Sequence, residues 1–283
     1  MGLLSIAEAG EPKYLANYLA DVWAEFPSLA YTHYVVLSGV FKFLKKKGLF
    51  DYSPMKLVEP PKKAGGQQRA IKADERDELI RLLTVKFAEP RTAKWLLPFT
   101  LTLLGTGIRP GEGFALRWED LDGLGGDRAV AYIGATVARS QDRPTYRQTK
   151  RKGGAAPYNV TLPSWLTIVL RNWRTISKTD DEGLVFRSPN NSGNSGIIFT
   201  SGGAETLAAS LRGSLVSWIT FGNFRDTVAT EVTGRTGDSR RASAQLEHSE
   251  GSTMATRHYI DQNGYVRDVV DNADALELLF QSR

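Results

Sequence analysis

The sequence predicts a mostly α-helical protein with a small antiparallel sheet, of the α+β class. Three observations carry this. Apolar residues recur at three- and four-residue steps through most of the chain. The segments AVAYIGATV, TYRQ and YNVTLP, within residues 128–162, have the composition of strands. A basic stretch with Pro-Pro and Gly-Gly, VEPPKKAGGQQRAIK at 58–72, separates a short helical part from a longer one.

The elements follow in order. Leu15, Tyr18, Leu19, Val22 and Phe26 form the apolar stripe of a first helix. A second helix starts near Ser28 to Thr32, turns Leu37, Val40, Phe41 and Leu44 inward, and stops at Gly48. After the 58–72 linker, residues 74–87 read as a helix with Leu79, Leu82, Leu83 and Phe87 inward. A buried helix spans Ala93 to Leu104 and runs into the loop GTGIRPGEG. The strand segments come next, with KRKGG as the turn between the last two. Trp165, Val169, Leu170 and Trp173 mark another helix. Residues 187–203, rich in Gly, Ser and Asn, read as a mobile loop, and the chain is helical from Glu205 onward.

Composition excludes several kinds of function. There is no cysteine, which removes disulfide scaffolds, thiol nucleophiles and thiolate metal sites. Only His33, His248 and His258 are present, at no metal-ligand spacing, so a histidine-rich metal centre is not expected. The most apolar stretch, Trp95 to Leu104, is too short to span a bilayer, and residues 1–10 carry no targeting signal; the expectation is a soluble, cytoplasmic protein. With 41% hydrophobic residues the chain can bury sizeable cores. A net charge of +5 favours a polyanionic partner, weakly.

Four patches can carry chemistry. Arg109 lies in the Gly-rich turn Thr106-Gly107-Ile108-Arg109-Pro110-Gly111-Glu112. Its guanidinium either grips two phosphate oxygens or pairs locally with Glu112. Lys150-Arg151-Lys152 sits at the expected hairpin tip, as a solvated basic turn or as a lysine that donates a proton to a leaving oxygen. Arg225, in GNFRDTVAT, and His248, in LEHS, either converge on one phosphate or serve as a local pair and a helix-end residue. Tyr259, in TRHYI, is a surface tyrosine or a nucleophile. Lys42, Lys45, Lys46 and Lys47 crowd the end of the second helix, complementing its dipole or touching phosphate.

Taken in order, TGIRPGE with ALRWEDLD, a basic hairpin, FRDTVAT, LEHS and a tyrosine eleven residues after that histidine resemble the tyrosine recombinases, the phage integrase family. The series is most similar to integrases of actinobacterial phages and integrative elements. AIKADERDELIRLL resembles the opening of the family's catalytic domain, and LSGVFKFLKKKGLFDYSPMKLVEPPKK the end of its core-binding domain.

The resemblance implies a helical, SAM-like core-binding domain at 1–60, a basic linker at 61–72 and a tyrosine recombinase catalytic domain at 73–283, clamping the duplex from opposite sides. The first domain is shorter than usual for the family, which leaves a short natural protein or a fragment open. The implied activity is site-specific cleavage and rejoining of double-stranded DNA through a 3′-phosphotyrosine, with no cofactor, metal or ATP. Arg109 and Arg225 would neutralise the phosphate, Lys150 or Lys152 would protonate the departing 5′ oxygen, His248 would bond the scissile phosphate and Tyr259 would attack it. Lys42, Lys45, Lys46, Lys62, Lys63, Arg69, Lys72 and Arg151 are the expected DNA-facing cations. The family further implies a homo-oligomer, a tetramer on DNA, and an accessory DNA-bending protein. Two features stay open. The family's histidine three residues before the second arginine is Gly222 here, which admits a catalytically weak or inactive DNA-binding protein as the alternative. The tail, with Val266, Val269, Val270, Ala273, Leu276, Leu278, Leu279 and Phe280, docks on a neighbouring subunit or on its own domain.

Overall fold

The computed structural model describes residues 5–62, 69–89, 93–140, 143–177, 183–188, 196–246, 267–268, 272–277 and 279. The chain divides into two compact units, 1–68 and 69–283.

In the first unit, Pro12 and Pro27 each open a helix at the first helical position, where a missing N–H costs nothing. These helices are α2 (Pro12–Glu25) and α3 (Pro27–Lys46), preceded by the single turn α1 (Ile6–Ala9). Gly48, at φ +74°, follows the end of α3. A 3₁₀ turn at Pro54–Leu57 brings Met55 into a small core with Leu15, Leu19, Phe41 and Val58, while Leu37 and Leu44 pack at its edge. Val40, expected inward, is instead 46% exposed. It sits at the border of the stripe that Phe41 and Leu44 define, about 100° around the helix from Phe41. His33 has a structural partner, its Nδ1 lying 2.8 Å from the Tyr18 hydroxyl.

The second unit is built around α5 (Leu96–Thr106), whose residues are buried on almost every side. A helix apolar all round belongs inside a domain. Around it stand α4 (Ala73–Ala88), the short α6 (Pro110–Gly113), α7 (Ser164–Ser177), α8 (Thr200–Leu211), α9 (Phe221–Thr236), α10 (Ser239–Gln245) and the tail helix α11 (Ala273–Glu277). Phe99 and Phe114 stack at 3.8 Å between ring centroids, and Phe186 and Phe221 pack edge-on against Phe99.

Among the described residues, six short strands form two sheets. β1 (Leu121–Asp122), β2 (Val130–Ile133), β5 (Tyr158–Thr161) and β6 (Arg267–Asp268) lie in that order, with β6 joining β5 in parallel. Among the described residues, β3 (Thr136–Ser140) pairs only with β4 (Arg143–Gln148). The expected hairpin between TYRQ and YNVTLP therefore does not form. YNVTLP pairs with β2 instead, Ile133 opposite Tyr158, and the segment carrying Lys150, Arg151 and Lys152 crosses from one sheet to the other.

The C-terminal end of the 187–203 loop is ordered as helix from Thr200 onward; residues 189–195 of that expected loop lie outside the described residues. In the tail, Ala275, Leu276 and Leu279 pack on Val228, Val232, Ala242 and Leu246 of their own domain, and the Trp165 indole donates to the Leu276 carbonyl at 2.9 Å. Among the described residues, then, the tail docks in cis. Val266, Val269, Val270, Leu278 and Phe280 lie outside them.

Candidate functional site

The site grows from the end of α5. Gly107 terminates that helix in the left-handed region, φ +70°, and its N–H closes on the Leu103 carbonyl. A side chain there would be strained, and a Cβ would come within 2.6 Å of Leu246 and 3.0 Å of Val228. With that space kept clear, α9 and the end of α10 close over the turn. The Gly107 carbonyl then accepts from Arg225 Nη1 at 2.5 Å, and the Leu246 carbonyl accepts from Arg225 Nη2 at 2.8 Å.

Arg109 follows two residues later, at the start of α6. Its backbone N–H donates to Glu112 Oε2 at 2.9 Å and its Nη1 to Glu112 Oε1 at 3.2 Å. The Arg109 side chain keeps about a third of its exposure, 36%, while that of Glu112 is buried at 1%. Both sequence readings of this turn thus hold together: Arg109 pairs with Glu112 and still faces solvent.

Arg109 and Arg225 sense each other. Burial lowers the Arg225 pKa first and the positive charge of Arg109 lowers it further, while Tyr158, Glu112 and Asp226 oppose the shift. Like charges repel, and an anion bound by both guanidinium groups would relieve that repulsion.

Arg151 corrects the sequence expectation. It was assigned to a DNA-facing tip, but its side chain is fully buried. Nε and Nη2 donate to Glu112 Oε1 at 3.1 and 3.0 Å, Nη1 donates to the Ala156 carbonyl at 2.5 Å, and the guanidinium lies 4.4 Å from the Tyr158 ring centroid. A buried carboxylate needs cationic partners, and Glu112 recruits this one. Lys150, its neighbour, is exposed.

Tyr158 and Glu112 are the residues the sequence did not single out as a pair. Alternation along β5 turns Tyr158 and Val160 inward, and that period of two was the available signal. Burial pushes the Tyr158 phenol well up, helped by the Glu112 charge and opposed by Arg151, Arg225 and Arg109. Its hydroxyl has no hydrogen-bond partner among the described residues. Tyr158→Phe is therefore expected to leave the fold as stable as before or to stabilise it by up to about 2 kcal/mol, since it removes an unsatisfied buried hydroxyl. The pH dependence has a sign. Above about pH 10 the unfolded chain releases this proton while the folded chain retains it, so stability falls as pH rises. Urea unfolding at pH 8 and pH 10.5 should show a smaller alkaline loss in the variant.

Gly222 lies in the first turn of α9. Asn223 Oδ1 accepts from the Thr220 N–H and hydroxyl, both at 2.8 Å, and its Nδ2 donates to the Arg69 carbonyl at 3.0 Å. Asn223 is thus a capping residue. Gly222 is exposed, and a Cβ there would meet only Thr220 Oγ1, at 3.6 Å.

The other expected residues fall into three groups. Lys42, Lys45, Lys46, Lys62 and Lys72 are exposed. Arg69, half-exposed, pairs with Glu75 and lies 4.2 Å over the Trp218 ring. It belongs to a segment stitched to α9, where the Ile71 N–H donates to Thr227 Oγ1 at 2.9 Å. Lys63, His248, Tyr259 and the side chain of Lys152 lie outside the described residues. No cluster of potential metal ligands occurs among the described residues, and none of their helices is long and apolar enough to cross a membrane.

No family model matches the chain, and a search of curated proteins finds no match. Solved structures do match. The Tn1549 transposon integrase in complex with transposon right end DNA has a TM-score of 0.67 at 14% identity, over 91% of this chain and 83% of that one. A lambda integrase dimer bound to a COC′ core site has a TM-score of 0.59 at 14% identity, over 86% and 80%. A lambda integrase tetramer bound to a Holliday junction has a TM-score of 0.59 at 14% identity, over 86% and 65%. The chain thus has a fold similar to that of the lambda and Tn1549 integrases.

Proposed function

We propose that the protein is a site-specific tyrosine recombinase that cleaves and rejoins double-stranded DNA through a 3′-phosphotyrosyl intermediate. The observation that carries this reading is the Arg109–Arg225 pair, built on the Gly107 turn and coupled through space, in a chain with an integrase fold. The neighbours of that fold are integrases bound to DNA.

In the proposed mechanism the scissile phosphate bridges Arg109 and Arg225. Their charge offsets the negative charge that builds on its equatorial oxygens. Tyr259 Oη gives its proton to water and attacks phosphorus, the bond to the 5′ oxygen breaks, and Lys150 or Lys152 delivers a proton to that oxygen. His248, two residues beyond Leu246, bonds the phosphate. Rejoining reverses these steps with a 5′-hydroxyl from the partner strand. The exposed cations Lys42, Lys45, Lys46, Lys62, Arg69 and Lys72, together with Lys63, contact the DNA backbone. Binding should accordingly weaken steeply with salt, log Kd rising in proportion to log salt concentration.

The chain's order of motifs supports a placement among integrases of actinobacterial phages and integrative elements, and a cytoplasmic setting. The lambda tetramer on a Holliday junction supports tetrameric assembly. A DNA-bending accessory protein rests on the resemblance alone.

Gly222 favours a second reading, a recombinase-fold protein that binds DNA and cleaves it weakly or not at all. One experiment separates the two. Protein is incubated, without metal or ATP, with nicked suicide DNA tiled across the region flanking its own gene, and SDS gels are read for a covalent protein–DNA band. A band establishes the chemistry. Salt-sensitive binding with no band selects the second reading.

A further inference from the structure

We infer that Arg151 is a positioning residue that anchors the lysine-bearing segment to the Arg109 turn. The inference rests on the proposed recombinase chemistry and goes beyond it, because Arg151 touches neither DNA nor the reacting atoms on this reading.

The geometry is specific. Arg151 stands between Lys150 and Lys152, in a segment that connects two separate sheets and has no strand partner of its own. Such a connection gains no register from a ladder. Its one deeply buried side chain is Arg151, among the side chains described there. That side chain reaches 39 residues back in sequence to Glu112 with two donors on a single carboxylate oxygen. A third donor holds the carbonyl of Ala156, further along the same segment, and the Tyr158 ring lies against the guanidinium. Glu112 is fastened from the other side by the backbone and side chain of Arg109. The arginine turn and the lysine segment are thus two ends of one buried ion pair.

The chemistry follows from the fork. A guanidinium offers parallel and divergent donors in one rigid plane, so it can fix Glu112 and Ala156 together. A lysine has one ammonium and cannot hold both in that geometry. If Arg151 is lost, Glu112 keeps its bonds to Arg109, and the segment carrying the two lysines loses its anchor. The step that suffers is proton delivery to the 5′ oxygen, not charge neutralisation at phosphorus.

The test exploits the leaving group. A 5′ oxygen departs as a poor leaving group that needs a proton, whereas a 5′ sulfur in a bridging phosphorothiolate departs as a stable thiolate without one. Arg151→Lys is expected to slow cleavage of the ordinary suicide substrate by about 10²-fold, the scale of general acid help. On the phosphorothiolate substrate it should be within about fivefold of wild type, and DNA affinity should be unchanged. Both rates come from one preparation, so any unfolded fraction scales them alike and cancels in the ratio. Lys150→Ala and Lys152→Ala serve as comparators, and the one that supplies the proton should share the pattern.

Equal slowing of Arg151→Lys on both substrates would place the effect at phosphorus and overturn the inference. So would wild-type cleavage of the ordinary substrate. A wild-type protein that forms no adduct on either substrate overturns the recombinase reading itself, and this inference with it.

Discussion

Tyr259→Phe is expected to abolish the covalent protein–DNA band and to change DNA affinity by less than a few fold. The substitution removes one oxygen. On the proposed assignment that oxygen is the atom that bonds phosphorus, so no amount of residual positioning can replace it. Binding is a different matter. Most of its free energy is expected from lysines and arginines on phosphates, none of which is altered. The two readouts should therefore separate cleanly, with gel-shift titrations overlaying wild type and SDS gels showing no band at any time. An adduct that persists in Tyr259→Phe would assign the nucleophile elsewhere.

Arg225→Ala is expected to slow adduct formation by about 10³-fold, the scale of losing one preorganised donor to a developing oxyanion. Part of the loss is structural. Arg225 donates to the carbonyls of Gly107 and Leu246, and its removal strips both of a charged partner. Arg225→Lys divides the two effects. It keeps a cation near the site but cannot reach both carbonyls and a phosphate together. A melting temperature near wild type, with adduct formation still slowed at least about 10²-fold, would locate the defect in the chemistry. Cleavage near the wild-type rate in both variants would remove Arg225 from the site.

The helical layout was legible because its signals are local. Leu15 and Leu19, Leu79 and Leu83, and Leu166 and Leu170 are each four residues apart, and each pair is buried. Gly48 and Gly107 end their helices with positive φ, as glycine permits. Arg109 and Arg225 stood out as candidates because their motifs are contiguous, and the structure brings both to the turn at the end of α5. What escaped was long-range. Strand pairing depends on which segments meet in space, and nothing local told YNVTLP to choose β2 over its nearer neighbour TYRQ. Arg151 looked like one more solvated cation in KRKGG because the carboxylate that buries it lies far back in the chain. Glu112 was visible as a partner for Arg109, but its second cation was not. Val40 failed for a smaller reason: it borders an apolar stripe and falls on the outer side of it.

The spacing between two fixed points of the chain has a kinetic consequence. Leu246, whose carbonyl holds Arg225, and Arg267, in register with Tyr158, are both fixed at the arginine cluster. Tyr259 lies thirteen residues after the first and eight before the second. A fully extended chain of eight residues spans about 27 Å. At most that length of backbone separates Tyr259 from Arg267, so on the proposed assignment the tyrosine meets a phosphate held by Arg109 and Arg225 as part of the same chain, in an intramolecular step. Attack at saturating DNA is then first order in the protein–DNA complex.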